Sequence, residues 1–147
     1  MPTVNADIAV AAPVDRVYQI ARDIEKFPEF MDDVESVEIL EQTPEKQVSK
    51  WGSIIKEFNR TITWTEADYW DDAARTCRWE QLEGDFTRYE GEWQFVSDGE
   101  GTIARLTIDY EYTVPLIGAL IQGLLLKKMQ ANVQSMLEAI KARAEEG

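Results

Sequence analysis

Residues 113–143 read TVPLIGALIQGLLLKKMQANVQSMLEAIKAR, and the rest of the chain is organised around them. The stretch predicts one long C-terminal helix. Thr113 offers an N-cap, and Pro115 falls in the first turn, where its missing N–H breaks no bond. At about 100° per residue, Ile121, Leu125, Met129, Val133, Met136 and Ile140 share one apolar face. Lys127, Gln130, Gln134, Glu138 and Lys141 fall opposite. Asn132 interrupts the apolar stripe. Gly118 and Gly123 weaken the first turns, each by about 1 kcal/mol relative to Ala. A helix of about thirty residues is roughly 45 Å long, so something broad has to cover its apolar face.

The residues before it supply that cover. Thr3–Val10 alternates, with Val4, Ala6, Ile8 and Val10 on one side. Pro13 opens a helix carrying Val14, Val17, Tyr18 and Ala21. Pro28 breaks it, and a short second helical turn carries Phe30 and Met31. From Val34 the period becomes two. VESVEILEQ is followed by the strand QVSKWGSIIKEF, with Ser49, Trp51, Ser53 and Ile55 on one face. RTITWTEADYW puts Ile62, Trp64, Glu66 and Asp68 together. RTCRWEQL aligns Cys77, Trp79 and Gln81. FTRYEGEWQFV aligns Tyr89, Gly91, Trp93 and Phe95. After the hairpin turn SDGEG, TIARLTIDYEYTV aligns Leu106, Ile108, Tyr110 and Tyr112. Strand, two helices, six strands and a long helix predict an α+β domain spanning residues 1–147, with an antiparallel sheet and segregated helices.

Composition narrows the chemistry. The chain has 147 residues, a net charge of −13 and no histidine. Histidine-dependent triads and histidine-ligated metals are excluded. Cys77 is the sole cysteine and reads as a buried, inert thiol. No metal and no cofactor is expected. The acidic balance disfavours nucleic acid and anionic membranes. The N-terminus lacks the basic start and apolar run of a signal peptide. LIGALIQGLLL is too short to span a bilayer. A cytoplasmic protein is expected, without stable membrane insertion.

The inward rows carry much aromatic surface: Trp51, Trp64, Trp79, Trp93, Tyr89, Tyr110 and Tyr112. They either fill a core or line a space under the helix. Glu66, Asp68, Gln81 and Asn132 interrupt the rows. Since unpartnered buried carboxylates are costly, these groups either pair with one another or with water, or line a solvated pocket, or Glu66 and Asp68 sit at the wet rim of the sheet.

Three segments carry a family resemblance: IAVAAPVDRVYQIARDIEKFPEFMDDVESVEIL, GDFTRYEGEWQF and MQANVQSMLEAIK. In order and spacing the chain resembles the START-like (Bet v 1-like) superfamily, in particular its bacterial polyketide cyclase/dehydrase and ubiquinone-binding members. The resemblance implies a helix-grip fold, with a curved seven-stranded antiparallel sheet wrapped around the C-terminal helix and two short helices between strands 1 and 2. It also implies a ligand cavity between sheet and helix. In aromatase/cyclases of the family, a pocket Trp and Asn correspond to Trp64 and Asn132. The pocket Arg position falls at Asp68, and the pocket Tyr position falls near Val34.

Two functions follow. The first is binding or carriage of an apolar small molecule, a lipid, isoprenoid quinone or polyketide. Its ligand-binding residues are Trp51, Trp64, Trp79, Gln81, Tyr89, Trp93, Tyr110, Met129, Asn132 and Met136. The second is a cyclase, dehydratase or hydrolase with Glu66 or Asp68 as catalytic acid or base and Asn132 or Tyr89 on the substrate oxygen. Phe27, Pro28, Phe30 and Met31 form either a mobile flap at the cavity mouth or a fixed hydrophobic plug. Phe30 and Leu116–Leu126 form an apolar patch suited to transient membrane contact or to a homodimer.

Overall fold

The computed structural model describes residues 2–55, 60–112 and 119–146. The chain runs β1 (Thr3–Val10), α1 (Val14–Arg22), a 3₁₀ turn (Ile24–Lys26), α2 (Phe27–Phe30), β2 (Val34–Gln42), β3 (Lys46–Ile55), β4 (Arg60–Asp71), β5 (Thr76–Gly84), β6 (Arg88–Asp98), β7 (Gly101–Glu111) and α3 (Ala119–Glu145). The strands form one antiparallel sheet in the order β1-β7-β6-β5-β4-β3-β2. Each hairpin pairs neighbours in sequence, and only β1 joins from afar, beside β7.

The alternation read from sequence matches the burial. Val4 and Val10 are buried on β1, as are Ile62, Trp64, Glu66 and Asp68 on β4 and Leu106, Ile108 and Tyr110 on β7. On α3, Leu125, Met129, Val133 and Ile140 are buried, together with Leu137, which the helical wheel does not assign to the face. The proposed cap Thr113, first-turn Pro115 and Gly118 lie outside the described residues, as does the side chain of Ile121.

Polar contacts seat the long helix. Lys141 Nζ donates to the Ala9 carbonyl at 3.0 Å, and Gln130 Nε2 donates to the Asn5 carbonyl at 3.1 Å. These bonds occupy part of the exposed edge of β1. Arg16 of α1 donates to the carbonyls of Ala144 (2.6 Å) and Glu146 (2.8 Å), so a guanidinium satisfies the helix's last turn. With its C-terminal end clamped by α1, α3 crosses the concave face of the sheet.

Phe27 is fully buried, its ring 5.7 Å from Trp51 in an edge-to-face contact, and Met31 is buried beside it. Phe27 and Met31 thus sit in the core in this structure. Phe30 lies under the Arg143 guanidinium, 4.9 Å from the ring centre. Among the described residues, Leu124 and Leu126 are the large apolar side chains exposed on α3. Nineteen residues separate Leu124 from Arg143, roughly 28 Å of helix, so Phe30 does not join them in one patch.

Candidate functional site

The side chains that point from the sheet toward α3 enclose a small space. All five tryptophans of the chain, Trp51, Trp64, Trp70, Trp79 and Trp93, border it. Tyr89, Ile108, Asn132 and Met136 complete much of the wall. Trp51 and Trp64 are cross-strand partners on β3 and β4, and their rings lie nearly parallel at 6.0 Å. Trp64 meets Tyr89 at 5.0 Å, and Tyr89 meets Trp79 at 6.0 Å, so the rings form a continuous arc. The volume at its centre is about 30 Å³, room for a water or two. A second space of similar size adjoins it, sharing Ser53, Trp64, Tyr89 and Asn132 and walled further by Ile62, Phe86 and Met129.

Glu66 and Asp68 both line the first cavity and are 4% and 3% exposed, so they are not at a wet rim. Each is held by named donors. Trp64 Nε1 donates to Glu66 Oε1 at 2.7 Å, and Ser49 Oγ donates to Asp68 Oδ2 at 2.6 Å. Trp51 Nε1 in turn donates to Ser49 Oγ at 2.8 Å. The two carboxyls also hydrogen-bond to each other. Burial first, and then the charge of Asp68, pushes Glu66 well above the ordinary carboxyl range. Burial also raises Asp68, while hydrogen bonds from Glu66 and Ser49 pull it back. Of the two, Glu66 is the one pushed further toward its protonated form, and Asp68 is its acceptor. Burial and the nearby carboxyl charge push the Tyr89 hydroxyl and the Cys77 thiol up as well, so both stay protonated.

Two polar atoms in the wall have no hydrogen-bond partner among the described residues: Trp79 Nε1 and Asn132 Oδ1. One is a donor and the other an acceptor. Asn132 thus leaves the apolar stripe of α3 to border both cavities.

Of the residues expected to bind ligand, Trp51, Trp64, Trp79, Tyr89, Trp93, Asn132 and Met136 border the first cavity, and Met129 the second. Gln81 and Tyr110 border neither. Gln81 keeps its place opposite Glu66, but its amide donates to the Phe86 carbonyl at 2.8 Å. Tyr110 packs beneath the Phe86 ring instead, at 6.4 Å. The sequence reading missed Trp70, although it continues the row from Trp64 by steps of two. It also missed Phe86, which lies in a turn without periodicity yet stacks on Tyr89 at 4.4 Å. Among the described residues no cluster of His, Cys, Asp and Glu is arranged to hold a metal ion.

The family profile described as polyketide cyclase/dehydrase and lipid transport matches residues 10–137. The chain belongs to this family. Its fold is START-like, as the sequence resemblance implied. The crystal structure of TTHA0849 from Thermus thermophilus is similar at 38% identity, covering 97% of each chain with a TM-score of 0.92. The Zhui aromatase/cyclase from Streptomyces sp. R1128 is similar at 26% identity over 98% of this chain and 93% of that one, with a TM-score of 0.90. The ribosome association toxin RatA of Escherichia coli K12 is 28% identical over 99% of this chain and 89% of its own length.

Proposed function

We propose that the chain binds and carries an apolar small molecule of the lipid, quinone or polyketide type in the space between its sheet and α3. One observation carries this reading: a wall of aromatic rings contains two buried polar atoms, Trp79 Nε1 and Asn132 Oδ1, with no partner among the described residues. Buried polar groups are ordinarily satisfied, and a ligand oxygen or hydroxyl would satisfy both. Apolar contact supplies most of the affinity, at about 25 cal/mol per Å² buried. The space is smaller than such a ligand, so uptake requires α3 and the aromatic arc to part. Protein purified from its host and extracted under denaturing conditions is expected to release one stoichiometric small molecule, detected by mass spectrometry. Protein that releases none, and binds none of a panel of lipids, quinones and aromatic polyketides, overturns the reading.

The Glu66–Asp68 pair favours a second reading, a dehydratase or cyclase. Protonated Glu66 would give its proton to a departing hydroxyl, which leaves as water, while Asp68 takes the proton from the neighbouring carbon. The dyad ends with one proton, as it began. An enolate would find no cation among the described residues lining this cavity; the family resemblance places Asp68 where aromatase/cyclases carry Arg. Turnover that survives both Glu66→Gln and Asp68→Asn removes this reading. RatA is named for ribosome association; with 28 acidic against 15 basic residues, this chain offers no cationic surplus to RNA phosphates.

A further inference from the structure

The cavity holds a combination that a purely apolar ligand does not use. The Glu66–Asp68 pair is buried, and its hydrogen bonds come from neutral donors, Trp64 Nε1 and Ser49 Oγ. Among the described residues no lining side chain of this cavity is cationic. Arg22 lies against the Trp70 ring at 5.2 Å and pairs with Asp72 at 3.6 Å, and it is not part of the wall. A carboxylate enclosed without a counter-charge is expensive, and a cation brought into the same space removes that cost. The rest of the wall suits a cation too, since the faces of Trp and Tyr attract ammonium groups within about 6 Å.

A second, independent feature lies beside the pair. Trp79 is the cross-strand partner of Asp68 and is 94% buried, from a relative exposure of 6%. Its indole N–H nevertheless has no acceptor among the described residues. Directly opposed residues sit about 5 Å apart at Cβ, so an oxygen from a bound molecule can meet this donor beside the carboxylate. Across the cavity, the buried Asn132 Oδ1 offers one more acceptor for an N–H. The adjoining space is also lined by Asp33 and Lys128, but Ile62, Phe86 and Met129 give it an apolar wall that can receive a tail.

We propose that this cavity is a site for an amphipathic organic ammonium ion bearing a hydroxyl next to the nitrogen. The ammonium lies against Asp68 and Asn132 within the aromatic arc. The hydroxyl oxygen accepts from Trp79 Nε1, and the apolar tail runs past Phe86 and Met129. This names the ligand class of the carrier reading and rests on it.

The test uses three probes with one tail and different heads: 2-amino-1-octanol, 1,2-octanediol and 2-hydroxyoctanoate. Binding at neutral pH is followed by tryptophan fluorescence and calorimetry at high ionic strength, which suppresses attraction to the acidic surface. The expected result is saturable one-to-one binding of the amino alcohol, at least tenfold tighter than the diol, with the acid weakest. Asp68→Asn, whose fold is checked by circular dichroism, is expected to abolish the preference for the amine over the diol. Trp79→Phe is expected to weaken the amino alcohol severalfold. Equal affinity for amine and diol, or an amine preference that survives in both Asp68→Asn and Glu66→Gln, overturns the ammonium site and leaves the carrier reading standing. Absence of binding by every probe, in protein shown to be folded and free of host ligand, overturns both.

Discussion

Glu66 carries its chemistry through its surroundings. Because burial and Asp68 raise its folded-state pKa, the folded protein keeps a proton that the unfolded chain releases above about pH 4.3. The stabilisation from that proton is complete below the unfolded value and is lost as pH rises through the folded one. Glu66→Gln mimics the protonated acid: its amide donates to Asp68 and its carbonyl accepts from Trp64. The variant is expected to match the wild type near pH 4 and to exceed it increasingly toward pH 9, by about 1.4 kcal/mol for each unit of raised pKa. Denaturant melts across that range measure the difference. A variant that instead loses ground as pH rises would show an ionised Glu66 stabilised by its neighbours. Gly91 acts through shape. A Cβ there would lie 2.3 Å from the Thr107 carbonyl oxygen and 2.4 Å from the Trp79 ring. Gly91→Ala is expected to cost about 1–3 kcal/mol and to displace Trp79, read as lower Tm with a shifted tryptophan emission.

At the scale of elements, strands were more legible than the ends of helices. Alternation places every second side chain on one face, so the inward rows of β4, β6 and β7 followed from spacing alone. The reading failed where spacing does not decide direction. Gln81 keeps its register opposite Glu66, yet its amide turns to the Phe86 carbonyl. Phe86 entered the core from a turn, where no periodicity exists to find it. Asn132 was legible because a polar residue in an apolar stripe is anomalous on its face, whereas the partners of Glu66 and Asp68 depend on indole and hydroxyl directions that spacing does not give. The helix makes its own prediction at Gly123. A Cβ there meets nothing within 4 Å, and the position is exposed. Gly123→Ala is therefore expected to stabilise the protein by about 1 kcal/mol. It is also expected to slow ligand uptake in stopped-flow fluorescence if the first turns of α3 bend to admit ligand; those before Ala119 lie outside the described residues. An unchanged uptake rate with the gain in stability would put the moving part elsewhere.

At the scale of the whole molecule, the question is how an enclosed space of about 30 Å³ exchanges its contents. The sheet is continuous, and α3 is clamped at one end by Arg16 and Lys141. On the carrier reading, opening lifts the helix from the aromatic arc, a partial unfolding with its own free energy. Cys77 reports on it. The thiol lies on the cavity wall, 1% exposed, and burial with the nearby carboxyl charge suppresses its thiolate. A thiol reagent added to native protein is expected to react at least a hundredfold more slowly than with the denatured chain. If ligand enters by the same opening, native labelling is expected to slow further as the cavity fills, in proportion to occupancy. Gly91→Ala, which disturbs the wall, is expected to speed it. Rapid native labelling would mean that solvent reaches the cavity without any opening. Slow labelling that ligand does not alter would mean that Cys77 is exposed by a route the ligand does not share, and the site would then have to be sought away from the Glu66–Asp68 pair.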